Sequence, residues 1–371
     1  MTPGRHGGTE TYLRGLLTGL ASVDGDNEYV IFTNTINHDS LDLNAPNFTR
    51  HLCRCSGKSR VTRIAYEQLF LPGIVTKYGI DILHSPGYVS PVTGKFGKVV
   101  TIHDMQYIYY PNYFPKARLL YWKYFLPISA RKSDIILTVS ENSRADIVNL
   151  LNISKDKVFV TYEAPKFCAD SNKGDSLPPV MKKYNIRDNY ILSVASLLPH
   201  KNLDRLIEAF ALLEDKINHQ LVCVGIKGHA LDDIGRTIRN KLNHPDRVAI
   251  LGYISDQDLA AIYKGADLFI LPSLFEGFGI PLLEAMALGC PVAASNRTSI
   301  PEIVGDAAVL FDPEDTQGIA DAMLLVLSNQ SLRNDLVHRG LLRAKLFSWH
   351  KMAKETLNVY NLAYNIFCEK K

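Results

Sequence analysis

Ser273 to Glu284 reads SLFEGFGIPLLE, and Glu276 and Glu284 stand eight residues apart around a glycine-rich turn that opens a helix. Gly277 and Gly279 leave the backbone of this turn bare, so its N–H groups and those of the helix start can approach an oxygen-rich ligand closely. A helix N-terminus attracts anions, yet two carboxylates are placed here, which adds hydroxyl recognition to phosphate binding. A sugar and a ribose carry such hydroxyls. The competing reading is an ordinary strand-to-helix connection with solvated glutamates, and the rest of the chain has to decide between them.

Other residues could share this chemistry. Lys201, in SVASLLPHKNL, follows a strand-like run and precedes the helical pattern LDRLIEAFALL, where a held ammonium can offset the charge of a diphosphate leaving group. His103 and Asp104 follow the run KVVTI, at the carboxyl edge where open α/β sheets place ligands; a histidine there can donate to a hydroxyl, or be purely structural. Gly7 and Gly8 read as a glycine turn opening a helix. Ser140 and Ser143 fit an N-cap pair better than a ligand contact. With no DxD motif or histidine cluster at the site, no metal cofactor is expected, and the cation role falls to Lys201 and helix ends.

The elements that must position these groups alternate. Strand-like runs lie at Tyr29–Thr33, Ile80–His84, Lys98–Ile102, Asp134–Val139 and Val158–Thr161, then at Tyr190–Val194, Gln220–Val224, Val248–Leu251 and Asp267–Leu271. Helical patterns separate them, which is the signature of parallel sheets covered by helices. Gly265–Ser273 supplies the strand entering the two-glutamate loop; Pro281 suits the first turn of the helix leaving it, which Leu282, Leu283, Ala285, Met286 and Leu288 continue. The division predicted is residues 1–165, a linker at 166–186, a second domain at 187–347, and a helix at 348–371 that returns to the first domain. The expected fold class is α/β with two Rossmann-like domains. Only MTPGRH precedes the Gly7–Gly8 turn, so a first strand of the N-terminal sheet is expected to be missing, through a misassigned start or a truncation.

Composition bounds the function. At 371 residues, 46% apolar and 21% charged, the chain has room for two domains. Six cysteines without a CxxC pair fit reduced thiols, hence a cytoplasmic location. No apolar run reaches the roughly 18–20 residues of a membrane span, and a net charge of +3 gives no case for nucleic acid. Arg50–Arg63 and Lys116–Lys132 are nonetheless basic, free of acids and, in the second case, rich in aromatics. Basic and aromatic residues together suit an anionic membrane surface or a lipid diphosphate, although a solvated face with core aromatics fits them too.

Taken in order, GRHGGTE, TIHDM, TVSENS, SVASLLPHKNL and SLFEGFGIPLLEAMALGCPV resemble the retaining glycosyltransferases of family four, across nearly the whole chain. The combination HDM, PHKN and FEGFG is most similar to their bacterial mannosyltransferase-like branch. The resemblance implies a GT-B architecture, two Rossmann-like domains facing across a cleft, and transfer of a hexose from a nucleotide-sugar donor. GDP-mannose is the expected donor, and a cell-surface polysaccharide or lipid-linked glycan the expected acceptor. It assigns Lys201 to the donor phosphates, Glu284 to the ribose, and Glu276 with the backbone of Gly277, Phe278 and Gly279 to the transferred sugar. Gly7 and Gly8 approach the diphosphate, His103 stands beside the donor sugar, and Asp104 orients it or meets the acceptor. Catalysis then falls to His103, Lys201 and Glu276. His200 replaces an arginine common among relatives, which puts a second phosphate contact in doubt. A UDP-sugar donor, or a catalytically silent scaffold subunit of a polysaccharide assembly complex, is the rival expectation.

Overall fold

The computed structural model describes residues 7–41, 45–55, 60–167, 177–225 and 230–371. The chain divides into two units, Met1–Ala164 with Phe347–Lys371, and Pro165–Leu346. Residues 1–6, on which the expectation of a missing first strand turns, lie outside the described residues, as do 168–176 of the expected linker and Lys58 of the first basic stretch.

In the first unit the strands are β1 (Tyr29–Thr33), β2 (Phe48–Leu52), β3 (Ile82–Ser85), β4 (Gly97–Thr101), β5 (Ile135–Thr138) and β6 (Val158–Val160). β1 and β2 pair in parallel, and β3 to β6 form a parallel sheet in chain order. β4 and β5 are buried along their whole length, as expected of strands covered on both faces. On one face Val100 and Ile136 pack with Leu126, Ala130 and Ile147; on the other, Val99, Ile135 and Leu137 meet Val359 and Ala363 of the helix Trp349–Glu369. That helix also lies against the first helix, Gly7–Val23, at a very close approach. A Cβ on Gly19 would sit 2.5 Å from the Trp349 carbonyl oxygen, and one on Gly15 would overlap the Trp349 ring.

The second unit contains β7 (Tyr190–Val194), β8 (Gln220–Val224), β9 (Val248–Leu251), β10 (Leu268–Leu271), β11 (Val292–Ser295) and β12 (Ala308–Phe311). They form one parallel sheet in the order β12-β11-β10-β7-β8-β9. The first strand of the unit therefore lies mid-sheet, with its second and fourth strands on either side. The order reverses between β7 and β10, and loops leaving the carboxyl ends of these two strands diverge to leave a crevice. Of the twelve strands among the described residues, β2, β11 and β12 carry short or polar runs (FTRHL, VAAS, AVLF) that the strand-like patterns did not reveal; parallel pairing to a neighbour recruits them.

Candidate functional site

In the second unit the loops after β7 and β10 bring Lys201 and Glu276 together. Lys201 ends a single helical turn, Pro199–Lys201, and Asn202 follows with φ +61°. Asparagine tolerates this left-handed conformation, and its side-chain amide donates to the carbonyls of Pro272 and Pro313 at 3.1 and 2.7 Å, so the lysine loop is tied to the glutamate loop. The backbone N–H of Leu274 donates to the His200 carbonyl at 2.7 Å, a second tie.

Lys201 Nζ and Ser273 Oγ both donate to Glu276 Oε1, each at 2.6 Å. Burial alone would raise the Glu276 carboxyl, but Lys201 and Ser273 outweigh it and hold the group below the ordinary carboxylate range. The loop backbone is propped from β11's side: the Glu276 N–H donates to Thr298 Oγ1 at 3.0 Å, and Ser299 Oγ lies 3.0 and 2.9 Å from the carbonyls of Glu276 and Phe278. Gly279 takes φ +109° at the helix start, a conformation closed to side chains. Pro281 occupies the first turn of Ile280–Ala287, and Phe278 is buried as a packing residue.

Glu284 lies on that helix, buried, and accepts from Tyr263 Oη at 3.0 Å. Burial pushes its carboxyl up to about 7, while the Tyr263 phenol and nearby Lys166 pull against the rise. His200 is buried beside Lys201; desolvation and then the ammonium's repulsion hold it down to about 4, so it stays neutral at pH 7 and brings no charge to an anion.

In the first unit, His103 and Asp104 follow β4. His103 Nε2 lies 3.0 Å from the Pro86 carbonyl, and Nδ1 lies 3.9 Å from Glu163 Oε1. Both ring nitrogens thus face protein groups in the free chain, and burial holds the imidazole down to about 4. Asp104 Oδ1 accepts from the Gln106 N–H at 3.1 Å and from Tyr88 Oη at 3.2 Å. Tyr88 has φ +68°, a strained value for a bulky residue, which turns its ring toward His103 and Trp122. Behind the histidine a partly buried chain runs from Tyr360 Oη to His84 Nδ1 (2.6 Å), from His84 Nε2 to Thr101 Oγ1 (2.7 Å), and on to Tyr12 Oη (2.9 Å). Tyr12 then packs its ring edge-on to His103 at 4.7 Å. Gly7 and Gly8 open the helix that carries Tyr12 and are exposed. Ser140 accepts from the Ser143 N–H at 3.1 Å, an N-cap.

Lys201, Glu276, Gly277, Phe278, Gly279 and Glu284 accordingly share one unit, and Gly7, Gly8, His103 and Asp104 the other. Sequence reasoning passed over Tyr263, Thr298, Ser299, Asn202 and Glu163. A polar NRTS run directly after a short strand was a usable signal for the props at Thr298 and Ser299; Glu163 in TYEAP carried none. Among the described residues no group of three or more His, Cys, Asp or Glu converges as a metal site.

Residues 6–164 match the model of Glycosyltransferase Family 4, and residues 180–342 that of Glycosyl transferases group 1. The chain is 36% identical over 284 residues to the O-antigen chain mannosyltransferase B of Escherichia coli, a match covering 76% of this chain and 74% of that one. It is 30% identical over 227 residues to the serotype-specific mannosyltransferase WbdA of Escherichia coli, covering 60% of this chain and 28% of that longer protein. In fold it is similar to Anabaena Alr3699/HepE crystallised with UDP, with TM-score 0.74 and 17% identity over 97% of this chain and 98% of that one.

Proposed function

The chain belongs to glycosyltransferase family 4, an enzyme family of the GT-B fold, and on that premise we propose that it transfers mannose from GDP-mannose, with retention, to a cell-surface polysaccharide or lipid-linked glycan. The observation that carries the reading is the meeting of Lys201, Ser273 and Glu276 at the β7–β10 switch point, with the buried Glu284 on the helix that follows. Lys201 and Ser273 converge on Oε1 of Glu276, so the second carboxylate oxygen is the one that takes a sugar hydroxyl. Lys201 exchanges part of its bond to Glu276 for the diphosphate and strengthens as the leaving group gains charge. Glu284 accepts from the ribose hydroxyls. The leaving phosphate assists attack on the same face of the sugar, and the site orients both substrates and excludes water.

Support for mannose comes from the similarity to the two Escherichia coli mannosyltransferases. A thermal-shift panel of nucleoside diphosphates and their sugars, followed by product analysis with radiolabelled donors, tests the reading. Stabilisation by GDP-mannose above all UDP-sugars, with transfer of label, is the expected result. Stabilisation by a UDP-sugar instead overturns the donor assignment, and no response to any donor overturns the enzyme.

We further propose a peripheral contact with the anionic inner face of the plasma membrane through the helix Lys116–Lys132. Leu120, Tyr124 and Ile128 recur every fourth residue along it and are 60, 59 and 45% exposed, an apolar stripe that the unit leaves uncovered. Exposed Lys116, Lys123, Arg131 and Lys132 accompany the stripe. An interfacial helix inserts such a stripe at headgroup depth while its cations meet anionic lipid. Sedimentation with phosphatidylglycerol vesicles at low and high salt tests this. Salt-weakened binding that Leu120→Ser/Tyr124→Ser abolishes is expected, and equal binding to zwitterionic vesicles refutes the electrostatic part.

A further inference from the structure

Glu163 lies one residue before the end of the first unit's leading segment, Met1–Ala164, and is 5% exposed. The reaction proposed above makes no use of it. The groups facing it are His103 and Asp104 after β4, Tyr12 from the first helix, and Tyr88 from the segment after β3. A buried carboxyl in such company must either be neutral or have a strong partner.

The histidine decides which. A carbonyl oxygen only accepts, so the 3.0 Å contact with Pro86 places the ring proton on Nε2. A neutral imidazole then presents a lone pair at Nδ1, the atom 3.9 Å from Glu163 Oε1. A carboxylate opposite that lone pair is repelled, whereas a carboxylic acid offers it an O–H. We propose that Glu163 is a positioning residue that works as a neutral acid, donating a hydrogen bond to His103 Nδ1 and so holding the imidazole in its Nε2–H tautomer at the edge of the site. The 3.9 Å separation is longer than a hydrogen bond, and in this role it shortens when ligand fills the site, as such contacts commonly do on leaving the free state. Burial, reinforced by the charge of Asp104, pushes the Glu163 carboxyl up to about 8, and burial holds His103 down to about 4, so both groups are neutral at pH 7. No covalent bond changes in this role.

The inference rests on the reading of His103 as part of the donor site, and two kinds of measurement separate them. For activity, Glu163→Gln keeps a donor N–H opposite Nδ1 and retains kcat/KM within about threefold of wild type at pH 7, while Glu163→Ala, folded by its melting curve, loses about a hundredfold, the scale of a misplaced catalytic group. The wild-type rate falls as pH rises through about 8, and the Gln variant lacks that limb. Independently of activity, the ring ¹⁵N resonances of His103 report the Nε2–H tautomer, change near pH 8 in wild type, and stay constant from pH 6 to about 9 in Glu163→Gln. A Gln variant as impaired as the Ala variant overturns the proposal, because it means that a carboxylate is required; so does a His103 spectrum indifferent to Glu163. Full activity in His103→Ala with the expected ¹⁵N behaviour overturns instead the place of His103 in the site.

Discussion

Tyr263→Phe removes one hydroxyl from beneath Glu284, the proposed ribose acceptor, and nothing else from the core. The Tyr263 ring is fully buried against Phe167 and Phe269, contacts that phenylalanine keeps, so the fold survives. Its hydroxyl donates to Glu284 Oε2 at 3.0 Å, and the Glu284 carboxyl stands at about 7 with that bond in place. A hydrogen bond to a charged group is worth about 1.5–3 kcal/mol, and 1.36 kcal/mol is one unit of pKa, so its loss lifts Glu284 by about one to two units. At pH 7 the carboxylate fraction then drops from about one half to about 1–10%. If the carboxylate is the form that accepts from the ribose, KM for the donor rises about five- to fiftyfold at pH 7 and returns to within a few-fold of wild type near pH 9. Turnover is unchanged, since the ribose contact is the same in ground and transition states. Initial rates over a donor titration at several pH values from about 6 to 9 measure all three quantities. A KM unchanged at pH 7, or raised equally at pH 7 and pH 9, refutes the assignment of Glu284 as an ionising ribose acceptor.

Lys201→Ala lowers kcat about a hundred- to thousandfold with little change in donor KM, the scale of losing one electrostatic stabiliser of the leaving group. It also strips Glu276 of its cation and costs about 2–3 kcal/mol of stability; adding Glu276→Gln restores the melting temperature without restoring turnover, and recovery of both, or of neither, contradicts the role of the pair. Gly19→Ala, which in an open helix gains about 1 kcal/mol, here loses about 1–3 kcal/mol because its Cβ meets the Trp349 carbonyl; denaturant midpoints that rise would show that the two helices can separate at no cost. Glu163 has a folded pKa raised above its unfolded value near 4.5, so its contribution to stability is fully present below pH 4.5 and is lost as pH rises through about 8. Relative to Glu163→Gln, wild type therefore loses up to about 4–5 kcal/mol between those limits, and parallel stability profiles of the two proteins from pH 4.5 to 8 would count against a neutral buried acid.

Much of the second unit could be read in advance because its signals are local. β7, β8, β9 and β10 are runs of apolar residues bounded by turn residues, and Pro281 and Gly279 mark the start of their helix within a few positions. β11 and β12 escaped detection because VAAS and AVLF are short and carry little intrinsic strand preference; their neighbours in the sheet hold them. In the first unit, β2 (FTRHL) is largely exposed and equally weak as a pattern, and its pairing with β1 draws it into a sheet.

The same division holds at the candidate site. Sequence alone determined that Lys201 leaves one strand and enters one helix, and that Glu276 and Glu284 bracket the loop of another strand–helix unit, because turn chemistry and helix starts act over a handful of residues. Only the tertiary structure decided that Lys201 faces Glu276 across 75 positions of sequence: β10 pairs with β7 where the strand order reverses, and two loops far apart in the chain leave the sheet side by side. Protonation was decided there as well. Glu163, Glu284, His103 and His200 are ordinary titratable residues in the sequence, and burial against particular neighbours, a property of packing rather than of local pattern, moves each away from its usual range.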